Sequence, residues 1–309
     1  MWVVDVVLNL VWVLLLSGSL GLYGMVMYVL VRYRRKLSSS FYQLCVWLGV
    51  ADMLAVAVRM LLLPYVLKVF LYDQMRHSVL VATLEQITRF WLFYVQTVAN
   101  LVAATNRLTA VLRPFAHKAI WYKRMPRAIV FMWLGPLLYV LPMVLPWNRS
   151  IYDDYLQLHF INRTLYVHTA VFVVEQIAIV PALVVMYGIT FVMIFRNNRS
   201  TSYATTQDEA SRKQEQNLAI IGGTIALTYQ ITETLFCLSI FVYYPLLFVS
   251  RKCYVLFCLC NPYLLLCFSE EVKDQFLKSF MGKVANKVAP LTTAHPKRNR
   301  TAAAYTSYL

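Results

Sequence analysis

The chain has 309 residues, 60% of them hydrophobic, a mean hydropathy of +0.58, and 29 Lys and Arg against 14 Asp and Glu, for a formal charge of +15. So apolar a composition excludes a soluble domain of this length. In a soluble protein that charge would point to nucleic acid; here the basic residues read as inner loops facing anionic lipid headgroups, and no nucleic-acid partner is expected.

A helix crosses the hydrocarbon core in roughly 20 apolar residues. Seven segments meet that length: Val3–Val31, Phe41–Val66, Glu85–Leu112, Ala128–Trp147, Val167–Phe195, Gln216–Tyr243 and Lys252–Phe268. The first is too long for a signal-peptide core, and it ends rather than begins with basic residues (Arg32, Arg34, Arg35, Lys36), so it reads as a signal-anchor helix. The connector after the fourth span carries Asn148-Arg149-Ser150 and Asn162-Arg163-Thr164, two glycosylation acceptors if lumenal. In the sixth span the pair Gly222-Gly223 reads as a flexible helix start. Past the seventh, Ser269 is a suitable N-cap with Glu270 and Glu271 in the first turn. Val272, Phe276, Leu277 and Phe280 follow at helical spacing, which predicts a short amphipathic helix on the inner leaflet.

Charge orients these segments. Of the 29 Lys and Arg, 21 fall in Arg32–Ser40, Arg107–Arg127, Arg196–Gln216 and the stretch after Phe268. Short basic loops stay cytoplasmic, so the amino terminus is expected outside and the carboxyl terminus inside. The fold class expected is an all-α membrane protein, a seven-transmembrane helix bundle with a short amphipathic helix after the last span. Residues 1–282 form one membrane domain, and 283–309, rich in Ala, Thr and Lys, read as a disordered cytoplasmic tail.

The six cysteines (Cys45, Cys237, Cys253, Cys258, Cys260, Cys267) all lie within spans or at their edges and read as small packing residues. Cys258 and Cys260 face away from each other on a helix, so no zinc set forms, and Cys267 sits where a palmitoyl group would reach the inner leaflet. No metal site is expected.

Motifs then distinguish among seven-helix proteins. Leu48-Gly49-Val50-Ala51-Asp52, Asn106-Arg107 with Pro114 seven residues after the Arg, Trp133, Pro181 and Asn261-Pro262 stand one to a span in five spans. In that order they resemble the anchors of rhodopsin-like G-protein-coupled receptors. The chain departs from that pattern at Asn106, where an acid is usual, and at Leu265, where Tyr is usual; it also lacks the Cys-Trp-x-Pro element and the outer disulfide. Asn106-Arg107-Leu108-Thr109 with Pro114, His117 and Ile120-Trp121 resembles the nematode serpentine chemoreceptors of the Srg superfamily, with the Srv and gamma classes nearest.

That resemblance implies a plasma-membrane chemoreceptor binding a small molecule or short peptide and coupling to a heterotrimeric G protein through Asn106, Arg107 and Pro114. Because Asn106 is uncharged, it holds Arg107 less firmly than an acid would, unless another acid such as Glu215 substitutes. The resemblance also implies a polar core of Asp52 and Asn261, with a sodium ion at Asp52 as the one cofactor in question.

Buried charge marks a second region. Ionisable groups at membrane depth cost about 2.5–3.5 kcal/mol on insertion scales and usually face the bundle interior. At 1.5 Å per residue, Arg59 lies about 27 Å above Phe41 and Arg89 about 27 Å above Arg107. By the same measure Glu175 is about 12 Å and Glu233 about 15 Å below the outer ends of their spans. Together with Tyr94 and Tyr229 they form either a ligand pocket or a buried ion-pair network.

Other functions lack their residues. Lys252, at the outer end of the seventh span, is misplaced for a retinal Schiff base. The five histidines lie outside the spans or at an outer edge, and Asp52 is alone where an aspartyl protease needs two. No enzyme is expected. A small multi-pass channel or transporter is the remaining alternative, although no internal repeat supports it.

Overall fold

Hydrocarbon offers backbone amides no partner, so each apolar segment bonds within itself as a helix. The structure, a computed structural model, describes residues 2–37, 39–58, 78–141, 149–152, 158–161, 164–200, 206–241, 246–280 and 282. In chain order these form α1 (Trp2–Arg32), α2 (Ser40–Val56), α3 (Val79–Leu112), α4 (Pro114–Leu134), α5 (Leu137–Val140), β1 (Arg149–Tyr152), β2 (Leu158–Ile161), α6 (Thr164–Ser200), α7 (Thr206–Phe241), α8 (Leu246–Phe268) and α9 (Glu270–Phe280). The seven-transmembrane bundle is α1, α2, α3, α4 with α5, α6, α7 and α8. Arg59, Asn148, Asn162 and the 283–309 segment lie outside the described residues.

α3 runs through the middle, against α2, α4, α6 and α7, while α8 packs on α7, α2 and α1. Inside are Val29, Phe41, Ala51, Tyr94, Met132, Ile221, Tyr229 and Phe257, all 2% exposed or less. Leu14, Leu54, Leu138, Ile177, Val184 and Leu227 point outward as the lipid-facing surface. Among the described residues, Val13–Arg32 and Ile177–Arg196 are long and apolar enough to cross a bilayer by composition alone. Other spans carry polar residues on the face turned into the bundle.

Several elements begin earlier than hydropathy predicts. α3 starts at Val79, capped by Ser78, whose Oγ accepts from Val81 N at 3.3 Å. α4 starts at Pro114 rather than Ala128, so the second inner connector is helix and Arg113 is its single non-helical residue. Proline disfavours the α conformation in the residue before it, which ends α3 at Leu112, and its own fixed φ opens the next helix. α7 starts at Thr206 rather than Gln216. The pair Gly222-Gly223 is therefore interior to α7, and its role is space: a Cβ on Gly222 would lie 2.7 Å from the Tyr187 hydroxyl and one on Gly223 3.2 Å from the Phe191 ring. That corrects its reading as a helix start.

The outer connector also holds a two-stranded antiparallel ribbon, Arg149 opposite Ile161 through Tyr152 opposite Leu158, lying against α3. After α8 the chain turns by 95° into α9, with Ser269 Oγ accepting from Val272 N at 3.3 Å. Part of the apolar stripe of α9 docks on the bundle. Val272 is fully buried, the Phe280 ring lies 6.1 Å from that of Tyr28 on α1, and Ser279 Oγ donates to Tyr33 Oη at 3.2 Å.

Candidate functional site

Arg107 stands near the inner end of α3, and at 1% exposure it is among the most deeply buried side chains. Its Nη2 and Nε donate to Asn106 Oδ1 at 2.8 and 3.3 Å, and its Nη1 donates to Glu215 Oε2 on α7 at 2.9 Å. The guanidinium carbon also lies 4.6 Å from the centroid of the Phe41 ring on α2. Glu215 is 45% exposed, so this ion pair closes the bundle at the end where α3 stops and α7 starts. Glu215 thus supplies the acid that position 106 lacks, across helices rather than from the neighbouring residue.

Asn106 reaches outward as well. Its Nδ2 donates to Ser40 Oγ at 2.7 Å, and that oxygen lies 3.2 Å from His117 Nε2. On the other edge of the ring His117 Nδ1 is 3.2 Å from Thr109 Oγ1, which accepts from Trp121 Nε1 at 2.7 Å. Pro114 makes this possible by starting α4 immediately, so that His117 and Trp121 return against α3. The histidine is half-buried in the first turn of α4. Burial first, and the charge of Arg107 second, push its pKa down from 6.5 to about 4.

Deeper in the bundle, Asp52 is fully buried on α2 and accepts from three helices. Tyr23 Oη of α1 donates to Oδ2 at 2.7 Å, Gln96 Nε2 of α3 donates to Oδ1 at 2.6 Å, and Asn261 Nδ2 of α8 also donates to Oδ2. Gln96 in turn accepts from Tyr254 Oη of α8. Asp52 and Asn261 are thus brought together by the fold; Gln96 as the bridge to α3 does not emerge from the sequence, which carries no register between helices. Each of the three contacts offers Asp52 a hydrogen, whereas a sodium ion needs oxygen lone pairs turned toward it, so the arrangement does not fit the ion. Between this layer and Arg107, Asn100 Nδ2 has no hydrogen-bond partner among the described residues and lines a cavity of about 10 Å³, room for one water.

In the outer half, Arg89 forms an ion pair with Glu85 one turn earlier on α3. Glu85 was not among the intramembrane charges expected, having been placed at a span end, yet its side chain is only 4% exposed. The side chains of Glu175 and Glu233, like Arg59, lie outside the described residues. Tyr94 stacks on Tyr139 with ring centroids 5.1 Å apart, and Tyr229 bonds Thr97 and packs on Phe257 at 5.3 Å. At 1% and 0% exposure, both tyrosines belong to an aromatic floor joining α3, α5, α7 and α8.

Between residues 12 and 282 the sequence matches the family described as serpentine type 7TM GPCR chemoreceptor Srv. The chain belongs to the Srv chemoreceptor family. Srv is one of the two classes left open by the motifs. The fold of this Srv receptor is also that of the crystal structure of squid rhodopsin, at a TM-score of 0.70 and 13% identity over 87% of this chain and 83% of that one. Among curated proteins, none matches the receptor significantly.

Proposed function

We propose that this Srv receptor detects a small molecule or short peptide in the outer half of its bundle and activates a heterotrimeric G protein from its inner face. It does so at the plasma membrane, with the amino terminus outside. The observation that carries the reading is the Arg107–Glu215 pair, 2.9 Å across the inner ends of α3 and α7. Two long helices joined at one end by a half-exposed ion pair are a two-state element: closed when paired, open when a partner competes for Arg107. Arg89 and Glu85, above the Tyr94–Tyr229 floor, supply charge where a ligand would enter, and the wholly buried Asp52 cluster acts as a hydrogen-bonded strut between helices rather than as a cation site.

The test is a nucleotide-exchange screen in membranes against a broad panel of small volatile and soluble compounds. A hit should be lost in Arg107→Ala with the protein still at the surface. Retained coupling in Arg107→Ala would overturn the mechanism, and a ligand-evoked ion current without nucleotide exchange would establish the channel alternative.

A further inference from the structure

We propose that His117 is a positioning residue: through the Ser40 hydroxyl it orients the Asn106 amide and so holds the pose of Arg107. This rests on the signalling reading of Arg107 above.

Proton bookkeeping leads from Arg107 outward. A guanidinium only donates, so Asn106 must present its oxygen to it. The amide nitrogen is then the group 2.7 Å from Ser40 Oγ, and Ser40 must accept. Its own hydrogen has an acceptor in His117 Nε2 at 3.2 Å, provided that nitrogen is bare. The imidazole proton therefore sits on Nδ1 and goes to Thr109 Oγ1 at 3.2 Å. Thr109 Oγ1 also accepts from Trp121 at 2.7 Å, and gives its hydrogen to the carbonyl of Thr105 or Asn106, each at 2.9 Å. With the proton on Nε2 instead, Thr109 could donate to Nδ1, but the Ser40 hydrogen would have no acceptor within the chain; neutral His117 with its proton on Nδ1 gives every hydrogen in the chain an acceptor. The lowered pKa of His117, set by burial and by Arg107, agrees with that state.

Remove the bare nitrogen and the direction is lost. Ser40 is then free to donate to Asn106 Oδ1, and the amide can turn to face Arg107 with its NH2, donor against donor. In the fraction of molecules in which it turns, both Asn106–Arg107 hydrogen bonds disappear, and the ion pair with Glu215 is left to hold Arg107. An aspartate at position 106 would be immune, because both of its oxygens accept.

That difference is the test. His117→Phe keeps a ring against Trp121, whose centroid is 6.3 Å away, and removes both nitrogens. In the full-length receptor in lipid nanodiscs, it should raise basal nucleotide exchange about two- to twelvefold, the range of one net hydrogen bond. Amide hydrogen exchange over Lys213–Leu218 should speed up in parallel, a readout that needs no G protein. Ser40→Ala should act in the same direction and carries the test if His117→Phe folds poorly. Placed in the Asn106→Asp background, His117→Phe should lose its effect on both readouts. Equal effects in the two backgrounds, or no effect in the native one, would overturn the proposal. Amide exchange that follows the expected pattern while nucleotide exchange does not would retain the positioning role and reject the G-protein reading.

Discussion

Glu215→Gln removes one charge from the pair that closes the inner face while keeping the side chain's size. Arg107 is 1% exposed and stays buried, with Asn106 Oδ1 and the Phe41 ring as its remaining partners. Breaking a fully buried pair costs about 3–5 kcal/mol, whereas an exposed one is worth about 0–1 kcal/mol. With the glutamate 45% exposed, this pair lies between those limits, near 1–2 kcal/mol by that interpolation. The glutamine can still accept from Arg107, which puts the loss toward the lower end. At about 1.4 kcal/mol per factor of ten, a resting state weakened by that much enlarges a small active fraction roughly 5- to 30-fold. Nucleotide exchange in membranes without ligand is the assay, with surface expression matched to wild type. If basal exchange in Glu215→Gln stays within twofold of wild type, the pair does not restrain the resting state and the two-state reading of α7 fails.

Asn106→Asp should act in the opposite sense and lower basal exchange, because a carboxylate adds the attraction of opposite charges to bonds in which Asn106 offers Arg107 only an amide dipole; a rise would contradict the restraint. Gln96→Leu strips a donor from Asp52 and an acceptor from Tyr254, at about 1–3 kcal/mol each. The detergent-solubilised receptor should then melt several degrees lower, and an unchanged midpoint would mean water replaces both bonds. His117 titrates near 4 when folded and near 6.5 when unfolded, so between those values the unfolded chain binds more protons and stability falls as pH drops. Arg107 is the charge acting on it, the imidazole is half-buried and the effect is shallow; a melting profile for His117→Phe should be flatter over that window. Replacing both Asn148 and Asn162 by Gln should abolish any glycosidase-sensitive mobility shift, and a shift that persists would overturn the orientation with the amino terminus outside.

Hydropathy located the spans because apolar length is what the bilayer demands, but it marked the membrane rather than the helix. α4 from Pro114 and α7 from Thr206 continue into water, where Lys118, Lys123, Lys213 and Glu215 belong, so their first turns carry no apolar signal. Glu215 was nameable as a substitute acid only because Asn106 made one necessary; that it meets Arg107 depends on how α3 and α7 pack. The motif residues His117 and Trp121 were visible as a pattern, while their shared contacts through Thr109 follow from a helix break at Arg113 that a loop reading missed. Gln96 is a polar residue within a span, and nothing in the sequence ties it to Asp52, 44 residues away on another helix. The antiparallel ribbon escaped notice because strands of 4 residues each are too short for an alternating pattern to stand out.

The joint between α3 and α4 has a practical consequence for how the receptor meets proteases. Arg113, Lys118, Lys123, Arg124 and Arg127 make this connector look like the easiest place for trypsin to nick the inner face. A protease must draw several residues into extended form, and nicking concentrates at exposed loop tips. Here one non-helical residue separates two helices, and the bond after it is Arg113–Pro114, a linkage trypsin cuts poorly. Membranes opened on the cytoplasmic side should therefore yield a core in which α3 and α4 remain on one fragment.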